Sequence, residues 1–125
     1  MSTQVWQRPF GAVPLEDGTV ELRVWAPAAS RVAVRIHGAD EELRHIGEGV
    51  HAGEVFADPG DDYVFVLDGE PLPDPCSRSQ PRGVKGSSRI VDTGAFEIAP
   101  GPELSLEELV LYELHVGTFT RAGTF

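Results

Sequence analysis

Glu113 and His115 stand two positions apart within LVLYELHVGTFTRAGTF, residues 109–125. A carboxylate beside an imidazole is a pairing that general acid–base catalysis uses. The same pair also serves as a satisfied hydrogen bond packed inside a sheet or barrel. Trp6 and Trp25 offer a second chemistry, because a flat aromatic ring matches the apolar face of a pyranose. Trp25 closes a strand at a Trp-Ala-Pro turn and reads as core packing. Trp6 stays open, and no two exposed aromatics are evident side by side. Trp6, Glu113 and His115 are therefore the candidate substrate-binding residues. Other chemistries are missing. His37, His45, His51 and His115 lack an HExxH spacing, and the single Cys76 cannot build a zinc site, so no metal or cofactor is expected. Gly47-Glu48-Gly49 begins like a dinucleotide loop but lacks the third glycine and the helix that must follow. There is no GxSxG and no Walker sequence.

The element that must position Glu113 and His115 is residues 110–119, which hold no proline and one glycine and are dense in Val, Leu, Tyr and Phe. That composition predicts a buried strand of the kind parallel sheets cover on both faces. Alternation puts Val110, Tyr112, Leu114 and Val116 on one face, and Leu111, Glu113, His115 and Phe119 on the other. A parallel strand needs a crossover and a neighbour, yet only residues 120–125 follow. The expectation is the front end of a larger protein whose catalytic chemistry lies beyond residue 125. Lacking its neighbours, the strand is expected to add to a sheet edge or to be disordered.

The totals bound the rest. A length of 125 residues suits one domain, and 41% hydrophobic with 24% charged residues suits a globular one. Twenty acids against ten bases, net charge −10, argue against nucleic acid or an anionic membrane as partner. One cysteine permits no internal disulfide and points to a reducing compartment. No secretory signal and no run near the roughly 18 apolar residues of a membrane span is visible. A cytoplasmic protein is expected.

In chain order, Pro9, Gly11 and Pro14 forbid regular structure in a leading segment that Trp6 and Phe10 pin to a core. Residues 19–25 alternate as a half-buried antiparallel strand, with Val20, Leu22 and Val24 inward and Glu21 and Arg23 outward. Residues 31–37 repeat the pattern with Val32, Val34 and Ile36 inward. Gly38-Ala39-Asp40 reads as a turn, 41–46 as a weaker strand, and Gly47, Gly49 and Gly53 as a loop leading into Val55-Phe56-Ala57. Asp58-Pro59-Gly60 is a turn. Residues 63–67, apolar on both faces, read as a central strand, and Asp68-Gly69 as a type I′ hairpin turn. Short strands separated by turn chemistry spell an antiparallel β-sandwich. Pro71, Pro73, Pro75 and Pro81 stiffen an extended connection. Residues 76–91 then carry Arg78, Arg82, Lys85 and Arg89 without an acid, which suits either docking against an acidic surface or a solvated loop. Ser105-Leu106-Glu107-Glu108 matches a capping box.

Four stretches occur here in a fixed order: FGA (10–12), LRVWAPAASRV (22–32), PDPCSRSQPRGVKGSSRIVD (73–92) and LVLYELHVGTFTRAGTF (109–125). Together they resemble the N-terminal part of the malto-oligosyltrehalose trehalohydrolase family, within the α-amylase superfamily (glycoside hydrolase family 13). The resemblance implies an all-β, immunoglobulin-like (early-set) β-sandwich over residues 1–98. Residues 99–125 would be a linker and the first strand of a catalytic (β/α)8 barrel. It also implies cleavage of the α-1,4 bond beside the trehalose unit of maltooligosyl-trehalose, with retention, by a carboxylate nucleophile and a carboxylic general acid about 5 Å apart. In the family those acids come from later barrel strands, so no catalytic residue carries over to this chain and residues 1–125 alone are expected to be inactive. The implied partners are an α-glucan and the protein's own barrel. The Trp-Ala-Pro and YELHVGTF strands are shared with glycogen branching and debranching enzymes. That alternative and a free-standing glucan-binding module remain open. The chain departs from the family at Glu97 and Ile98, where a tryptophan often follows the phenylalanine that Phe96 matches. It also departs near Arg82 and Ser87.

Overall fold

The computed structural model describes residues 5–125, an all-β arrangement with almost no helix. Its strands are β1 (Gly11–Pro14), β2 (Thr19–Trp25), β3 (Val32–Ile36), β4 (Ala39–Gly47), β5 (Val50–Phe56), β6 (Asp62–Leu67), β7 (Glu70–Leu72) and β8 (Ser88–Arg89). All pairings are antiparallel, in the order β1-β2-β5-β4-β3-β6-β7, with β8 beside the other end of β6. β4 makes the sheet curl. Its Ala39–Leu43 half pairs with β3, and its Arg44–Gly47 half pairs with β5 through an irregular register between His45 and Gly47. The β1-β2-β5 and β3-β6-β7 halves thereby share one core. Val20, Leu22, Val32, Val34 and Phe65 are each at most 1% exposed within it. Alternation does this work, since inward Val, Leu and Ile bury side chains worth about 1.5–3 kcal/mol apiece.

The turns follow the chemistry of their residues. Asp68 and Gly69 take φ of 49° and 91°, as a type I′ hairpin between β6 and β7 requires. β6 is central, flanked by β3 on one side and by β7 and β8 on the other. Ile90, 1% exposed, completes the core just past β8.

Four expectations need correction here. Gly11 and Pro14 do not keep the leading segment irregular, because Gly11–Pro14 pair with β2 as the edge strand β1. The turn at 38–40 lies one step earlier, at His37-Gly38, and β4 begins at Ala39. The glycine-rich stretch 47–53 is a tight turn followed by strand. Gly53 belongs to β5, paired with Leu22, and is a glycine because a Cβ there would sit 2.9 Å from the Leu43 side chain. Glu21 and Arg23 point outward yet are only 7% and 4% exposed, because the leading segment lies across that outer face. Arg8 pairs with Glu21 at 2.9 Å, and Arg23 donates to the Val5 carbonyl at 2.5 Å. Trp6 and Phe10 pin the leading segment, but to the outside of the sheet.

The largest departure is at residues 110–119. No sheet pairing forms there, Val116–Phe119 make a single α-helical turn, and Val110 and Leu111 are 92% and 88% exposed. A strand's backbone is satisfied only by a neighbour's, and no parallel neighbour for this segment is among the described residues. Before it, the Ser105 amide and hydroxyl both donate to Glu108 Oε2, at 3.0 and 2.8 Å, capping a short 3₁₀ turn at Leu106–Glu108. Among the described residues no helix is long and apolar enough to cross a membrane.

Candidate functional site

The turn between β4 and β5 builds the most developed site. Gly47, Glu48 and Gly49 all take positive φ, of 117°, 52° and 78°. A side chain at Gly49 would meet Pro27 Cβ at 2.6 Å, so only glycine lets the turn press against the Trp-Ala-Pro corner at the end of β2. The Ala26 amide donates to the Gly49 carbonyl at 2.8 Å, and Trp25 Nε1 donates to the Glu48 carbonyl at 3.1 Å. Trp6 Nε1 donates to the carboxylate of the same Glu48. One residue thus fixes both tryptophans of the chain. Trp25 is 56% exposed and Trp6 53% exposed, so the expectation of Trp25 as core packing is corrected. Gly49 carries the turn so close to the Trp-Ala-Pro corner that the indole is held outside the sandwich.

Trp6 and Trp25 line one apolar cleft of about 450 Å³ together with Phe10, Pro75 and Cys76. Trp6 and Phe10 pack with ring centroids 5.6 Å apart at 49°. Arg23 lines the cleft as well. Its Nε is a buried donor without a partner among the described residues. Arg23 also borders a second, charged cleft of about 780 Å³ over the outer face of β2, β4 and β5, where Arg8, Glu21, Arg44 and Glu54 gather.

The far wall of the aromatic cleft is held by a strap, residues 73–81, joining the two edges of the curled sheet. Tyr63 in β6 donates to Asp74 Oδ2 at 2.5 Å, and the Cys76 amide donates to Asp74 Oδ1 at 2.7 Å. The Asp74 amide reaches Ser88 Oγ in β8 at 3.3 Å. On the other side Arg78 Nη1 donates to the Phe10 and Ala12 carbonyls, at 3.3 and 3.1 Å, covering the free edge of β1. Burial pushes the Asp74 carboxyl above the usual carboxylate range, against the pull of Tyr63, the Cys76 amide and Arg78. Burial, then the nearby Asp74, pushes the Tyr63 phenol up. Both effects mark a structural clamp. Arg89 forks onto Asp62 at 2.7 and 3.1 Å. Two of the four cations of the 76–91 stretch are therefore committed inside the domain, and Arg82 and Lys85 stay exposed.

The histidines separate. His37 Nε2 meets Asp61 at 2.8 Å on the surface. His45 and His51 face each other across β4 and β5 with ring centroids 5.1 Å apart. Burial, then neighbouring His45, pushes the His51 imidazole below its usual range. Glu113 and His115 do not form the pair their spacing predicts. His115 Nδ1 lies 3.3 Å from Thr118 Oγ1, and both Glu113 and His115 are exposed, since the strand that would have aligned them is not formed. No group of three or more metal-ligating side chains occurs among the described residues.

Sequence reading named Trp6 but missed Phe10 as its ring partner, and missed Glu48 and the exposure of Trp25. The signal was present in Gly-Glu-Gly, whose flanking glycines demand a tight turn at the tip of a hairpin.

Comparison with known proteins adds the family context. The chain is 42% identical over 119 residues to a malto-oligosyltrehalose trehalohydrolase from Deinococcus radiodurans, covering 93% of the chain and 20% of the relative. It is 38% identical over 129 residues to one from Rhizobium sp., and 37% over 122 residues to one from Saccharolobus solfataricus, again covering 94% and 93% of the chain. The chain spans about a fifth of the length of these relatives, at 20–22%. Among solved structures it superposes on a protein from Salmonella typhimurium provisionally assigned as an α-amylase. There the TM-score is 0.80 at 36% identity, with 95% of this chain and 21% of that one covered. A Klebsiella pneumoniae pullulanase complexed with maltotriose matches at TM-score 0.58 and 24% identity, over 69% of this chain and 10% of that one, which shows a shared fold. No family model matches the chain. The resemblance to malto-oligosyltrehalose trehalohydrolases thus holds across most of this sequence.

Proposed function

We propose that this chain is the N-terminal β-domain, with the beginning of the catalytic barrel, of a malto-oligosyltrehalose trehalohydrolase. The observation that carries the reading is the 42% identity over 119 residues to an enzyme of that name. Residues 1–98 form the immunoglobulin-like sandwich, and 99–125 the linker and first barrel strand. The apolar side chains of 109–125 support the division, because Val110, Leu111, Tyr112 and Phe119 are exposed here and call for covering layers.

In the whole protein the reaction is hydrolysis of the α-1,4 bond beside the trehalose unit, releasing trehalose from maltooligosyl-trehalose. The two carboxyl groups such retaining chemistry needs stand at the C-terminal ends of later barrel strands. Glu113, at the first strand, is too far forward in the chain to be one of that pair. Glu113 and His115 instead become neighbours on one face of the strand once the barrel forms, at the margin of the substrate site. The sandwich packs beside the barrel and shapes one side of the cleft, inside the cytoplasm.

The test is to incubate the protein that continues past residue 125 with maltotriosyl-trehalose. Release of free trehalose is expected from that protein, and none from residues 1–125. Debranching or branching of a glucan in place of trehalose release would overturn the named activity.

A further inference from the structure

We propose that the Trp6–Phe10–Trp25 cleft on the sandwich is a binding site for one or two glucosyl units of an α-glucan. The choice of glucan rests on the reading of the protein as a glucan-processing enzyme; the existence of a site rests on the geometry. Exposed tryptophans on a small domain are commonly loose, and these two are not. Glu48 holds both indoles by their N–H groups, through its carboxylate and its carbonyl. With the ring nitrogens tied back, what each indole offers outward is apolar ring surface, the part that meets the C–H face of a sugar.

Pre-organisation matters because a rigid aromatic loses little conformational freedom when a ligand arrives. The turn that holds Glu48 is itself tightly packed, with positive φ at three successive residues and Gly49 pressed against Pro27. The cleft's volume of about 450 Å³ lies within the range of small-ligand sites, roughly 300–1,000 Å³. Its lining is mostly apolar, from Trp6, Phe10, Trp25 and Pro75, with a few polar groups. Arg23 lines the cleft as well, but it is 4% exposed and its guanidinium bonds to Glu21 and the Val5 carbonyl on the outer face of β2, so the aromatic rings carry the contact with a ligand.

The sequence makes the test direct, because Trp6 and Trp25 are the only tryptophans in the chain and both border the cleft. Titration of the 125-residue chain with maltohexaose is expected to change tryptophan emission saturably, and cellohexaose is expected to do so much less. Trp6→Ala should weaken binding by about five- to tenfold, the size of one aromatic contact, with Trp25 still reporting. Trp6→Phe should restore most of it. Far-UV circular dichroism keeps an unfolded variant from being scored. No saturable response to maltohexaose in the folded chain overturns the proposal. So does an equal response to both sugars, or unchanged affinity in Trp6→Ala. Trehalose release by the longer protein without binding here defeats only this inference. Binding here without trehalose release defeats the enzymatic reading and leaves the cleft as a glucan site.

Discussion

Residues 11–90 and residues 104–125 are both rich in large apolar side chains, and they end in opposite states. Leu22 and Phe65 are 0% and 1% exposed, whereas Leu111 and Phe119 are 88% and 58% exposed. The difference is one of partners. Each strand from β1 to β8 finds antiparallel neighbours within the same chain, four of the pairs joined by short turns and the others brought together as the sheet curls. Residues 110–119 have the composition of a strand buried on both faces, a kind whose neighbours must arrive by long crossover connections. Hydrophobic content therefore says what a segment will bury, and connectivity says whether it can.

The sharpest way to break this comparison is a matched set of truncations. Phe65→Ala should cost about 3–5 kcal/mol, since a fully buried aromatic leaves a cavity that the sheet cannot close. Urea unfolding of the 125-residue chain measures it, and a loss below about 1 kcal/mol would show that the core is not where we place it. Next in size is Tyr63→Phe, which strips the buried Asp74 carboxyl of its phenolic donor and should cost about 1–3 kcal/mol. In the same variant the strap over residues 73–81 should become more open to proteolysis.

How much of this was legible in sequence divides along the same line. Period-two alternation at 19–25 and 31–37, the apolar run at 63–67 and the Asp68-Gly69 turn each depend on near neighbours, and each folds as expected. Burial of Glu21 and Arg23 was not legible, because the covering segment is held by contacts between residues far apart in the chain, among them Arg8 to Glu21, Arg23 to the Val5 carbonyl and Trp6 to Glu48. The cleft was half legible. Trp6 was singled out, but the fixed pair needed Glu48, whose role shows only when a glycine-flanked turn folds against the Trp-Ala-Pro corner. Glu113 and His115 were read from a strand geometry that this chain alone does not supply.

A smaller effect concerns pH. Burial lowers the His51 pKa below its usual value of about 6.5, so in that window the unfolded chain binds more protons than the folded one. The contribution to stability is then fully present above about pH 6.5 and is lost as pH falls through the folded-state pKa. Urea midpoints measured from pH 7.5 down to 5 should fall, and His51→Gln should flatten that part of the profile. An unchanged slope would remove His51 from the account. The smallest expected effect lies in the other region. Leu111→Ala should shift stability of the 125-residue chain by no more than about 0.5 kcal/mol, as for a surface position. A large loss would mean that 104–125 already has a partner.

Amide hydrogen exchange, read residue by residue in the 125-residue chain and in the longer protein proposed above, tests the contrast most directly. The account predicts slow exchange across 20–24, 32–36 and 63–67 in both. It predicts unprotected amides over 109–119 in the shorter chain that become protected in the longer protein. Protection of 109–119 in the shorter chain, or its absence in the longer protein, would contradict the claim that this segment is a strand waiting for its barrel.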